Sequence, residues 1–335
     1  MSCVRIPGVD RTGSGLGKPF EKGYRGHASR SRRHRADGAS PSGRVGWSSL
    51  QKRFDANAAK LYEKHAALRE HDNTFRTMPR KYELYETSDG DLQLASRERD
   101  GARRWVLDLC NIQQLLEQAR LGHDPEALFC GAYVVLGDRF GLLFKRAYEG
   151  TKKMFLTFTP RIYLVEPDPI QFGVTLFVSQ SIDAYCDDRV LLFVGSDAIE
   201  RFLTFFEEHP KRSVPEHILT GCGSSWDPFE HTFETVRLLG EARAQKAVDN
   251  LAVACGHYDS LPATHWRRRL ESSEPPRILG LTSRFTTYLQ YSMRDCRSAF
   301  ERLGHHFETR IEENDHDLPS SHVNAAAVAD LKPDL

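Results

Sequence analysis

Three short apolar runs end in residues that could do chemistry. Ala132–Gly137 (AYVVLG) opens into Gly137-Asp138-Arg139-Phe140-Gly141, Arg161–Glu166 (RIYLVE) into Glu166-Pro167-Asp168-Pro169, and Arg189–Gly195 (RVLLFVG) into Gly195-Ser196-Asp197. A glycine ending a strand lets the backbone approach a ligand closely. An acidic residue ending a second strand can accept two ribose hydroxyls, and one after a third can sit near a base. Gly137, Asp138, Gly141, Glu166, Asp168, Gly195 and Asp197 are therefore the candidate cofactor-binding residues. The same residues also suit tight turns and helix caps, which need no ligand.

These loops do chemistry only if a sheet presents them together. Helical patterns follow each run: Leu142–Lys153, Ile170–Gln180 behind Pro169, and Asp197–His209 with Ile199, Phe202, Leu203 and Phe206 on one face. Strands apolar on both faces, alternating with helices, predict an α/β fold: a parallel sheet with helices on both faces. A further short strand fits His217–Thr220, and a long helix fits 230–258. Upstream, Phe54, Ala58, Leu61, His65 and Leu68 predict one helix from Leu50 to His71. Tyr82–Thr87 and Leu92–Ser96 flank a Gly-containing turn and predict a hairpin, and a helix is expected near Asn111–Leu121.

Residues 265–276 are charged and Ser-rich and close on Pro275-Pro276, which reads as a linker. The pattern then restarts. Arg277–Thr282 (RILGLT) and His306–Glu312 read as strands. Between them a helix is capped by Ser292 and stopped by Gly304. Ser321–Leu331 reads as a second helix, and Lys332-Pro333-Asp334-Leu335 as the lead-in to a third strand. Such a unit is incomplete and leaves a sheet edge through which a homo-oligomer could form. Its loops supply the candidate substrate-binding residues. Ser283, Arg284, Thr286 and Thr287 could hold an acceptor hydroxyl or a phosphate, and His316, near Glu312, Glu313 and Asp315, could serve as a base. Capping, turn formation and a solvated charged loop are the plainer roles for the same residues.

Composition bounds the rest. The 335 residues are 40% hydrophobic and 27% charged with zero formal net charge, so no long-range field points to nucleic acid. No apolar run approaches the roughly 20 residues of a membrane span. The seven cysteines include no C-x-x-C pair or zinc-finger spacing, so reduced thiols, no metal and a cytoplasmic location are expected. Residues 1–49 are Gly-, Ser- and Arg-rich and predict a disordered basic tail. Gly13, Gly15, Gly17 and Lys18 do not make a phosphate loop, because Thr12 and Pro19 occupy positions the loop needs. The expected organisation is a tail (1–49), a helical lead-in with a parallel-sheet domain (50–264), a linker (265–276) and a second unit (277–335).

Two resemblances follow. The glycine-ended first strand, Glu166 and Asp197 are similar to the sheet of S-adenosylmethionine-dependent methyltransferases, although the first loop has two glycines where that motif has three. More specifically, YVVLGDRFG, RIYLVEPDP and DDRVLLFVGSDAIERF resemble a Rossmann-like domain of large bacterial glycosyltransferases. The flagellin-modifying motility accessory factors carry a related domain with the same E-P-D-P. PPRILGLTSRFTTYLQYSMRDCRSAFERLGHHFETRIEENDHD resembles the start of their two-Rossmann-domain (GT-B) glycosyltransferase portion. The resemblance covers about residues 50–335. It implies sugar transfer from a nucleotide-sugar to a protein or polysaccharide acceptor in the intact relative. It also implies that this chain, lacking the nucleotide-sugar-binding half, is truncated and inactive alone. A non-catalytic interaction module is the remaining alternative.

Overall fold

Hydrophobic alternation sorts the chain into three sheets. In the computed structural model, residues 43–86, 92–97, 101–107, 130–138, 140–151, 158–220, 227–282, 287–311, 316–317 and 321–334 are described. They run β1 (Gly43–Val45), α1 (Trp47–Lys64), a 3₁₀ stretch (Ala66–His71), α2 (Asp72–Arg76), α3 (Met78–Lys81), β2 (Tyr82–Glu86), β3 (Leu92–Arg97) and β4 (Arg103–Leu107). Then come β5 (Ala132–Leu136), α4 (Leu142–Gly150), β6 (Ile162–Glu166), α5 (Pro169–Val178), β7 (Val190–Val194), α6 (Ala198–Glu208) and β8 (Pro215–Thr220). The rest is α7 (Asp227–Asp259), α8 (His265–Glu271), β9 (Arg277–Thr282), α9 (Thr287–Arg302), β10 (His306–Ile311) and α10 (Ser321–Leu331). All lie in one compact unit, Ser40–Leu335.

The central sheet has the order β7-β6-β5-β8, all parallel. The chain moves outward from β5 to β7 and then returns to pair β8 with the other side of β5. That reversal is a topological switch point, and ligands of open α/β sheets bind outside the carboxyl ends of the strands there. Period-two alternation divides the core. Tyr133, Val135, Ile162 and Leu164 face Phe144, Phe172, Leu176 and Phe177 of α4 and α5, with Phe54 and Leu61 of α1 behind. Ala132, Val134, Tyr163 and Val165 face Phe202 and Phe206 of α6 and Val236 of α7. The sheet is thus covered on both sides, as its apolar strands require.

The amino-terminal elements lie on the α4–α5 side. Asn57 of α1 donates to Leu176 O and Ser179 O, at 2.9 and 3.0 Å, and so caps the open carbonyls at the end of α5. Gly173 lets α2 approach: a Cβ there would lie 3.0 Å from Phe75 Cα and carbonyl oxygen. An antiparallel sheet, β1-β2-β3-β4, adds its apolar face through Tyr82, Leu84 and Leu94. Residues 277–311 form a separate parallel pair, β10-β9, with α9 as crossover. Helix α10 packs along α7.

Several expectations change. The helix predicted from Leu50 to His71 ends at Lys64, because His65 turns to φ −123° and ψ 70° and gives Nε2 to a 2.9 Å hydrogen bond with Tyr185 O. The predicted linker contains α8, since H-W-R-R-R-L-E holds good helix formers and only Pro275-Pro276 break it. Helix α9 starts at Thr287, five residues before the predicted cap Ser292, because nothing between them stops a helix. Residues 43–49, read as part of the tail, form β1 and the start of α1. The third-strand lead-in is not a strand, but Asp334 N donates to Arg277 O at 2.8 Å, alongside β9. The rest of the predicted tail and the helix near Asn111–Leu121 lie outside the described residues. No described helix is long and apolar enough to cross a membrane.

Candidate functional site

The seven candidate cofactor residues do converge, at the carboxyl ends of β5, β6 and β7. Gly137 N donates to Val165 O at 2.9 Å and Gly195 N to Glu166 O at 3.0 Å, so the ladder continues into the loops. Gly137 and Gly141 adopt φ of 66° and 91°, and Phe140 between them also sits at 64°. Such backbone is open to glycine and costs a bulky residue of order 1–3 kcal/mol. Phe140 holds it because its ring is buried beneath Tyr82, with centroids 6.0 Å apart.

Two of the four acidic groups, Glu166 and Asp138, point inward. Glu166 is 3% exposed, accepting from Asp138 N at 3.2 Å and from Asp168 N at 3.0 Å. Asp138, also buried, accepts from Phe144 N at 2.7 Å and from the Tyr185 hydroxyl at 3.3 Å. It thus serves the open amides at the start of α4, the place a ligand phosphate takes in nucleotide-binding sheets. Burial raises its pKa to about 8, against the pull of the Phe144 amide, with the neighbouring Glu166 raising it further. Asp168 caps α5 through Ile170 N at 2.9 Å and pairs with Lys81 at 3.0 Å. Asp197, half-exposed, pairs with Arg201 at 3.0 Å.

Elements distant in sequence close over these loops. His71 Nε2 lies 2.9 Å from Val194 O, and a Cβ on Gly195 would meet its imidazole at 2.8 Å. Tyr185 stacks on Phe144 at 4.0 Å under the first loop. Sequence reading missed His71, Lys81, Tyr82 and Tyr185. No local spacing marks them, because each reaches the loops from another element.

Of the second group, only Thr287 and His316 are described. Ser283, Arg284 and Thr286 lie outside the described residues, as do Glu312, Glu313 and Asp315, and Thr287 opens α9. His316 lies at the opposite end of the central sheet: its Nδ1 is 2.9 Å from Thr159 Oγ1, just before β6. Burial lowers its pKa. Its neighbour Asp317 makes a two-point pair with Arg161 (2.9 and 2.8 Å), and accepts from Arg212 at 2.8 Å and Ser213 N at 3.0 Å. Against the cost of burial, these donors hold its pKa at about 2.

A cleft of about 570 Å³ lies at the amino end of the β9–β10 pair, between Pro275, Pro276, Leu303 and His305. Its Arg269 is bound to Asp334 at 2.9 Å. Among the described residues, no cluster of three or more His, Cys, Asp or Glu is placed to hold a metal ion. No family model, curated protein or solved structure matches the chain.

Proposed function

We propose that this protein is glycosyltransferase-like, with the central sheet as a scaffold and the sugar chemistry belonging to the β9–α9–β10 unit. One observation carries the assignment of roles. The polar groups at the carboxyl end of the central sheet are bonded to one another and covered by His71, Lys81 and Tyr82, whereas β9 and β10 repeat the parallel pattern and are followed in the sequence by polar residues. The donor would be a nucleotide sugar and the acceptor a protein or polysaccharide, as the sequence resemblance implies. S-adenosylmethionine at Gly137, Gly141 and Glu166 fits less well, because the carboxylate expected to hold its ribose accepts from two backbone amides.

Hydrogen exchange on the full chain, with and without UDP-, GDP-, dTDP- and CMP-sugars or S-adenosylmethionine at millimolar concentration, tests this reading. No protection is expected at 137–141 with any of these ligands, and turnover of a nucleotide sugar by the chain would contradict the resemblance, which implies that it is inactive alone. Protection at 137–141 by S-adenosylmethionine would transfer the function to methyl transfer. A second reading, an interaction module, rests on the outer edge of β9, where Leu281 is 45% exposed. The edge of β10 carries His306, Glu308 and Arg310 instead, which blunt it. A dimer through β9, abolished by Leu281→Lys in analytical ultracentrifugation, is the outcome that would favour it.

A further inference from the structure

Four of the seven large apolar side chains exposed among the described residues stand on α7: Leu238, Val248, Leu251 and Val253, between 49% and 58% exposed. One face of this helix packs on its own domain. Val236, Ala247 and Ala254 are buried, and Arg243 donates to Phe206 O at 2.6 Å and to Arg212 O at 2.9 Å. Helices that cover a core usually carry polar residues elsewhere. α7 instead has a second apolar line, Ala244, Val248, Leu251 and Cys255, all of it exposed. Steps of four, three and four residues are those of the seam between two helices packed side by side.

We propose that this line is the interface of a homodimer, in which α7 of two copies pair antiparallel about a two-fold axis level with residues 249 and 250. That register sets Ala244 across from Cys255 and Val248 across from Leu251, small against larger, and each contact occurs twice, as an isologous interface requires. Charge selects a second copy. The positions flanking the line, Gln245, Ala247, Ala252 and Ala254, carry none, and Gln245 is tied to Asp249 at 2.8 Å. The surface that matches an uncharged helix face is another one, and α7 itself supplies it. A lipid surface would call for lysine and arginine beside the apolar residues, whereas here exposed Lys246 and Asp249 are of opposite sign. The line also has defined ends: Arg237 and Glu241 pair with each other before it, and after it the Tyr258 hydroxyl donates to Pro333 O at 2.7 Å. It spans about 17 Å, at the small end of stable interfaces, so a dimer dissociating at about 10–100 μM is expected. The pairing is independent of the sugar-transfer reading.

The test is sedimentation velocity of the full chain from about 1 μM to 1 mM, with circular dichroism to check that each variant folds. A monomer–dimer equilibrium is expected. Leu251→Glu, at an exposed position, should weaken it at least about tenfold, whereas Leu281→Lys on β9 should leave it unchanged. Ala244→Cys should form an inter-chain disulfide between the introduced thiol and Cys255 under mild oxidation, mapped by mass spectrometry and prevented by Cys255→Ser. A monomer at every concentration, or a dimer indifferent to Leu251→Glu, would overturn the proposal. So would a dimer abolished by Leu281→Lys, since the contact would then be the β9 edge, or cosedimentation with phosphatidylserine vesicles that Leu251→Glu removes. No disulfide to Cys255 in the folded Ala244→Cys chain would overturn the antiparallel register.

Discussion

Asp138→Asn should make the protein more resistant to alkaline pH. Asp138 is buried, with its pKa raised from about 3.9 in the unfolded chain to about 8. The native state therefore keeps a proton that the unfolded chain releases above about pH 4. Its contribution to stability is complete below the unfolded pKa and lost as pH rises through the folded one. Each pH unit in that window changes the folding equilibrium about tenfold, so between pH 4 and 7 the loss reaches roughly 4 kcal/mol. Asparagine does not titrate, and its carbonyl oxygen can still accept from Phe144 N. Urea unfolding at half-unit steps from pH 4 to 8.5 measures the difference between the two proteins. The variant is expected to match or fall below the parent near pH 4.5 and to exceed it above pH 7. A stability difference constant across this range would refute the reasoning, since it would mean that Asp138 ionises alike in both states.

Asp317→Ala removes the counter-charge of Arg161, whose side chain is only 4% exposed, and should cost about 3–5 kcal/mol in urea unfolding. Because the Asp317 pKa is depressed to about 2, its contribution is present above about pH 4 and lost as pH falls toward 2, so parent and variant should converge in acid. Gly173→Ala gains about 1 kcal/mol of helix propensity but drives a methyl against the Phe75 backbone at 3.0 Å. The clash should win, lowering the melting temperature with a net loss on the order of 1–3 kcal/mol.

The central sheet was legible in the sequence because its signals are local. Runs such as AYVVL, IYLVE and VLLFV are apolar on both faces, and each is followed by a turn residue and an amphipathic helix. The convergence of Gly137, Glu166 and Gly195 followed from that topology. What the acidic side chains do once there was not legible. Whether Glu166 faces a ligand or two amides depends on its rotamer and on His71, Lys81 and Tyr82, brought in by a separate layer. β1 and β4 were not legible for a related reason: G-R-V is three residues centred on an arginine and R-R-W-V-L opens on two, so only their pairing with β2 and β3 makes them strands. His316 was placed by sequence beside carboxylates, but the ring is drawn to Thr159, 157 residues away, which no spacing rule reaches.

The Asp317 clamp also sets an order of assembly. Its bonds to Arg161 close a loop of 156 residues, and those to Arg212 and Ser213 loops of more than a hundred. Contacts this distant in sequence close at an entropic cost that local pairings do not bear, and they slow folding. The donors also come from separate places, just ahead of β6 and of β8, so they gather into one acceptor site only when those strands flank β5. Docking of residues 316–317 is therefore expected late, after the central sheet has closed. Until then β9 is presented to solvent without that anchor, and this interval is when the chain is most exposed to pairing with its neighbours.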